Sequence, residues 1–144
     1  MGLMNAINIS GSGLTAQSFR MDVIAQNIAN AETTRTENGT PYQRRTVVLA
    51  EQTPSFADIL SNARQARPGQ GVIVSETAAD NSPFEQVYDP THADADADGY
   101  VEMPNVDITR EYVDMISASR SYEANLTAMN ASKHLAVKAL EIGK

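Results

Sequence analysis

Cysteine and tryptophan are absent from the 144 residues, and three phenylalanines and five tyrosines are the whole aromatic supply. The lack of cysteine removes disulfides, thiolate zinc sites, thiol redox chemistry and cysteine nucleophiles together, while leaving the compartment open. Basic side chains are also scarce: 11 lysines and arginines against 18 aspartates and glutamates give a formal net charge of -7. That balance argues against a nucleic-acid partner, because phosphate binding needs a basic surface. Two histidines, His92 and His134, are too few for a histidine metal cluster, and neither has a partner four residues on. Long apolar runs are missing too. The first nineteen residues carry no charge, but they lack a basic start and are broken by Asn5, Asn8, Ser10, Ser12, Thr15 and Gln17. Neither a cleavable secretory signal nor a membrane span is expected there.

What the chain does have is two apolar stripes, one at each end. Ile7, Leu14, Met21 and Ile28 recur every seven residues, with Ile24 and Ala31 as a second row. Residues at that spacing share one side of a helix, and the seam they form must meet another surface. Gly11 and Gly13 each lower helix stability by roughly 1 kcal/mol, so this helix is expected to need a partner. The turn-forming run NIANAETTRTENGTPY should stop it near Asn30 to Glu32.

The second stripe runs through Ile108, Met115, Tyr122, Met129 and Ala136, with Tyr112, Leu126 and Leu140 nearly alongside and the small row Ala118, Asn125, Ser132 and Ala139 between. No proline or glycine interrupts residues 109–142, which allows one helix on the order of 50 Å long at 1.5 Å per residue. Asp107 or Thr109 can cap its start, and Glu111 and Asp114 suit its positive end. The two stripes are expected to pair with each other and then with other subunits, acquiring full order on assembly. Charge is unevenly spread: residues 76–123 hold twelve acids against Arg110 and Arg120, whereas the last twelve residues hold Lys133, Lys138 and Lys144 against Glu141. Such a bias helps to orient neighbours.

Between the helices, Tyr42 to Gln52 and Gly71 to Thr77 read as strands, and Phe84 to Tyr88 as a weaker third. A short turn or helix at PSFADILSNA and a linker QARPGQG separate the first two. Val47, Leu49, Val72, Val74, Phe84 and Tyr88 are the available core. The expected fold class is α+β: N- and C-terminal helices pairing as a coiled-coil assembly domain around a small β-rich middle domain. Its divisions fall at residues 1–33, 34–106 and 107–144.

The run HADADADGYVEMPN invites a calcium reading, since Asp94, Asp96, Asp98 and Gly99 sit where a twelve-residue calcium loop wants oxygens and a glycine. Asn105 stands where the closing bidentate glutamate belongs, and Pro90 and Pro104 block the flanking helices. A solvated or partner-facing turn is the better reading: the carboxylates repel into an extended segment, and Gly99 permits the turn toward the long helix. No metal and no cofactor is expected. Glu111 with Asp114 fits helix capping better than acid–base catalysis, because nothing apolar nearby would shift a carboxylate. The Gly11–Gly13 stretch lacks the strand and lysine of a phosphate loop. No constellation supports an enzyme.

Three stretches carry a resemblance: GLTAQSFRMDVIAQNIANAETTR, YDPTHADADADGYVEMPNVDITREYVDMISASRSYEANLTAMNASK and LAVKALEIGK. They resemble the bacterial flagellar axial family of rod, hook and hook-filament junction subunits. YDPTHADADADGYV with PNVD resembles its FlgC branch in particular. The likeness spans Leu3 to Lys144 and is weakest from Glu51 to Ala66. It implies a structural subunit of the proximal rod, the periplasm-crossing part of the drive shaft, exported by the flagellum-specific apparatus without signal cleavage. Implied partners are other rod subunits, basal-body components and that export apparatus, with no nucleic acid and no direct membrane span. Asn27, Asn30 and Thr33 match the family's terminal signature, and Glu32 and Thr34 fall where it varies. Tyr122, Asn125 and Asn130 match its C-terminal helix, and Asp94, Asp96, Asp98, Gly99, Pro104 and Asn105 match the acidic turn and its exit. Two other readings are a calcium-binding module on Asp94, Asp96 and Asp98, and a soluble coiled-coil adaptor of fixed size.

Overall fold

A computed structural model describes residues 3–53 and 71–142. The elements are α1 (Leu3–Ala29), β1 (Arg45–Glu51), β2 (Val72–Ala79), β3 (Glu85–Tyr88), β4 (Tyr100–Met103) and α2 (Ile108–Ile142). The strands form two two-stranded sheets, β1 with β2 and β3 with β4. This is an α+β arrangement of terminal helices flanking a small β-rich middle. The sequence PSFADILSNA and all of QARPGQG except Gly71 lie outside the described residues.

Both helices stop and start for local reasons. At the end of α1 the Asn30 backbone N–H bonds back to the carbonyls of Gln26 (3.1 Å) and Asn27 (3.2 Å), and that of Ala31 to Ile28 (3.3 Å), tightening the last turn. The Asn30 side chain covers the Gln26 carbonyl as well, at 2.8 Å. At the start of α2 the Asp107 carboxylate accepts from the N–H groups of Thr109 (2.9 Å) and Arg110 (3.2 Å). Two donors that have no partner within the helix are thereby satisfied.

The contacts divide the chain into two units, one of Met1–Phe19, Val48–Glu76 and Ala118–Lys144, the other of Arg20–Val47 and Thr77–Ser117, insofar as these are described. In the first, α1 comes close to α2 at its two glycines. A Cβ on Gly11 would sit in ordinary contact with Met129, and one on Gly13 would lie 2.9 Å from the Asn125 amide oxygen. Between them, Ser12 gives its hydroxyl proton to Ile9 (2.7 Å) and accepts from the Val72 N–H at the head of β2 (3.0 Å). Gly71, at φ +115°, lies so near that a side chain there would collide with the Ser12 hydroxyl. Gln52 N–H bonds to the Gly71 carbonyl at 2.9 Å, closing the end of the β1–β2 ribbon. Gly11, Ser12 and Gly13 are thus a crossing point where a helix and a strand both approach the α1 backbone. Ala16 and Ala118 are its buried apolar residues, both small.

In the second unit β3 and β4 are antiparallel, with Glu85 opposite Met103, Gln86 opposite Glu102, Val87 opposite Val101 and Tyr88 opposite Tyr100. The tyrosine rings meet edge to face at 5.3 Å. Gly99, at φ +85°, lets the Tyr88 ring approach within 3.0 Å of where a Cβ would stand. Strand β4 is not among the strands expected from the sequence. Residues 100–103 follow an acidic run and form only four residues of strand, too short for periodicity to register. The expected middle core also needs correction: Val47, Leu49, Val72, Val74 and Phe84 are only partly covered and Tyr88 is exposed, whereas Val101, unforeseen, is buried. Two-stranded ribbons have too few strands to enclose a face.

The glycine pair generates a contrast. Glycine to alanine inside a helix normally stabilises by up to about 1 kcal/mol. Gly11→Ala should show that gain in thermal melting, because Met129 leaves room. Gly13→Ala should show no gain or a net loss, because Asn125 must move.

Candidate functional site at the helix junction

The two stripes read from sequence are placed differently by the structure. On α1, Ile24 is buried and Ile7, Leu14, Met21 and Ile28 are partly buried. On α2, Ala118 is fully buried and Met115, Tyr122, Asn125, Met129, Ser132 and Ala136 are partly buried. The row beside it is not covered. Ile108, Tyr112, Leu126 and Leu140 are exposed, Leu140 at 75 %, and Ile116 and Val137 with them. One face of α2 meets the chain's own residues, and a second, apolar, faces solvent.

At the junction of the second unit lies a cluster of polar side chains out of contact with water. Asn27 is 1 % exposed and Glu111 0 %. The Asn27 amide donates to the Arg45 carbonyl (2.8 Å) and to Glu111 Oε2 (3.0 Å). Its oxygen accepts from the Tyr42 hydroxyl (2.9 Å) and the Arg45 N–H (3.0 Å). Two donors and two acceptor positions are therefore all in use. Glu111 Oε1 receives Arg44 Nε at 2.7 Å and Nη2 at 2.6 Å. Both nitrogens converge on the one oxygen, leaving Oε2 to Asn27, and a hydrogen bond between two charged groups is stronger than one between neutral groups.

Arg44 reaches further, to Asp80 at 3.4 Å and Asp114 at 3.6 Å, and Arg20 of α1 joins Asp114 at 3.3 Å. Asn105 completes the surround: its oxygen accepts the Arg44 N–H at 2.8 Å, and its amide donates to the carbonyls of Asp80 (2.9 Å) and Ser82 (3.1 Å). Burial pulls the Arg44 guanidinium down, but its hydrogen bonds and charge attraction to Glu111 and Asp80 outweigh that and hold it above its ordinary value. Burial pushes the Tyr42 phenol up, with Arg45 opposing and Glu111 adding. Glu111 was expected only to suit the helix dipole. It is instead the buried anion of this network, because Arg44 arrives from the loop before β1, a partner 67 residues away that no helical spacing reveals.

The remaining signature residues serve the turns. Asn30 accepts the Thr33 hydroxyl at 3.3 Å, and Pro104 is buried beside Asn105. In the acidic run, Asp94 accepts from the Thr34 hydroxyl (2.9 Å) and from Arg35 (3.4 Å). Asp96 accepts from the N–H groups of Asp98 (2.9 Å) and Tyr100 (2.8 Å). Asp98 is exposed. These carboxylates do not converge: one clasps the segment after α1, and one shapes its own turn. Among the described residues no group of three or more acids or histidines could hold a metal ion. The Thr34 hydroxyl, with Arg35 assisting against partial burial, holds Asp94 below its usual range. Bonds from Ser82, aided by Arg44, do the same for Asp80, and bonds from Thr91 for Asp89.

Removing one partner of a buried ion pair strands the other. Glu111→Ala should therefore lower stability in urea by about 3–5 kcal/mol, whereas the same change at exposed Glu123 should stay within about 0.5 kcal/mol. Acid should act through Asp80, Asp89 and Asp94. Their carboxyls titrate lower in the folded chain than the ordinary 3.8, so on acidification the unfolded chain takes up protons first. The stability they contribute is complete above pH 3.8 and drains away as pH falls through their lowered values. Asp80→Asn with Asp94→Asn should flatten that slope in acid-unfolding curves.

Comparison with known proteins covers both ends and then the whole. A family model for flagella basal body rod proteins matches residues 7–35, and one for the C-terminal part of flagellar basal body rod FlgEFG proteins matches residues 97–142. The flagellar basal-body rod protein FlgC of Bacillus subtilis strain 168 is 50 % identical over 150 residues, covering 100 % of each chain. That of Borreliella burgdorferi is 46 % identical over 153 residues, covering 99 % of this chain and 98 % of its own. That of Escherichia coli O6:H1 is 40 % identical over 144 residues, again with 100 % of both. With likeness of that extent from end to end, the chain belongs to the FlgC family of flagellar basal-body rod proteins.

Proposed function

We propose that this chain is a structural, non-catalytic subunit of the flagellar proximal rod, building part of the drive shaft alongside other rod and basal-body components. The full-length identity to FlgC proteins carries the reading. The division of labour on α2 supports it. Ala118, Tyr122 and Met129 face inward with Asn125, while Tyr112, Ile116, Leu126 and Leu140 remain uncovered. Exposed large apolar side chains along one side of a helix, even with Glu123 and Asn130 among them, mark a surface meant for another protein.

The neighbouring subunits take that second face. Ile7, Leu14, Met21, Ile24 and Ile28 on α1 and Ile108, Tyr112, Met115, Ala118, Tyr122, Leu126, Met129 and Leu140 on α2 together form the assembly seams. A contact between unlike surfaces, repeated with a rise, leaves the next site open and builds a tube. Residues 1–33 and 107–144 act as the axial segments, and residues 34–106 as the outer, β-rich part. The rod site is periplasmic, reached through the flagellar export apparatus without a cleaved leader. No described helix is long and apolar enough to cross a membrane.

The test is complementation of a strain lacking its own FlgC. Tyr112→Glu with Leu126→Glu, both at exposed positions, should leave the melting temperature of the isolated protein nearly unchanged and abolish swimming and completed rods. Ala118→Leu should lose both, because its site has no room. Full motility of the Tyr112→Glu, Leu126→Glu variant would overturn the reading.

A further inference from the structure

We infer that the buried Arg44–Glu111 pair, with Asn27, is a register key: it permits one longitudinal alignment of α1 on α2 and excludes alignments shifted by a heptad. The inference concerns the chain's own fold and does not depend on the rod reading.

The helix faces themselves discriminate poorly. Along α2 the inward rows repeat at seven, Met115, Tyr122, Met129 in one and Ala118, Asn125, Ser132 in the other. A shift of seven residues would offer α1 another flexible or aromatic side chain and another small one, and methionine adapts readily to altered surroundings. Few apolar residues are buried in this structure, and most of those are alanine or valine. Apart from the close fits at Gly13 and Ala118, such packing gives little preference between alignments.

The polar residues would not accept a slipped neighbour. Continuing the small row backward by seven from Ala118 gives Glu111, its only acid; continuing back from Asn27 on α1 gives Arg20, Gly13 and Ala6. One alignment alone sets Asn27 against Glu111. Arg44 belongs to neither helix, and its backbone is pinned by Asn105 while that of Arg45 is pinned by Asn27. The guanidinium therefore occupies a fixed place, and Glu111 must come to it. Slid one way, the Asn27 amide would lose its carboxylate, Arg44 would lose its closest anion, and Glu111 would leave its ring of donors; slid the other way, Glu111 would meet Arg20 in place of Asn27, with loss of the Arg20–Asp114 pair and of the Arg44 contact. A single polar residue in a helical seam sets register by this means.

The chain has no native cysteine, so register can be read by cross-linking with a short bis-maleimide. Arg20 lies against Asp114 in the observed alignment. The pair R20C/D114C reports that register, and R20C/S121C reports one shifted by a heptad, about 10 Å along the axis. In the otherwise native chain only R20C/D114C should cross-link. The apolar replacement R44M/E111L should recover most of the melting temperature lost in R44M alone. In that background R20C/S121C should rise from trace to a yield comparable with R20C/D114C. Either of two results would overturn the inference: R44M/E111L folds and R20C/D114C stays the sole product, showing that apolar packing sets the register, or R44M/E111L fails to fold, showing that the pair supplies stability instead.

Discussion

A carboxylate with no exposure to water has to be met by a cation and by donors for every lone pair, or it is not ionised there. Glu111 is met on one oxygen by two nitrogens of Arg44 and on the other by Asn27. Satisfying it draws four stretches of chain together: α1 through Asn27, the approach to β1 through Tyr42, Arg44 and Arg45, the Asp80–Ser82 turn through Arg44 and Asn105, and α2 through Glu111 itself. Few apolar side chains of the described residues in this unit are buried, Val23, Ile24, Ala31 and Val101 among them, so the polar contacts define this region to an extent that hydrophobic burial does not.

The first unit is organised by a different economy of space. Gly13 and Gly71 are needed because other atoms occupy the volume where their side chains would go. Ser12 works between them with a short hydroxyl that both gives and receives a hydrogen bond. The helix propensity lost at two glycines is exchanged for close approach, the same reason that small residues recur on the facing side of α2. Meanwhile the uncovered row on α2 is large and apolar. A chain that leaves a row of large apolar side chains uncovered is suited to joining others.

Periodicity located both helices, because a seven-residue repeat of apolar side chains sustained over this length is the mark of a helix face, and the absence of proline and glycine bounded α2 to within a residue. Turn chemistry located the end of α1, where the Asn30 side chain covers a helix-end carbonyl as its residue type leads one to expect. Strands β1 and β2, rich in β-branched residues, were legible from local composition, and β3 more weakly, while β4 was not. Four residues after a glycine carry too little pattern, and their pairing with β3 depends on a connection of eleven residues that no local rule predicts. Heptad spacing placed Ala118 in a row of small residues and Tyr112 in an apolar one, but did not show that the first would be covered from within the chain and the second left open.

By itself the sequence determined which segments are helical, about where the first stops and the second starts, that neither charge nor residue types favour nucleic acid or thiol chemistry, and that the acidic run lacks a calcium loop's closing ligand. Those are properties of neighbours along the chain, and short-range sterics and spacing decide them. Tertiary structure alone decided that Glu111 would be a buried anion and not a helix-end charge, that Asp94 would clasp Thr34, and that Gly13 and Gly71 would have no room for a side chain. Each depends on an atom brought from a distant stretch of the chain, and the energy of burying a charge or closing a gap exists only once those atoms have met.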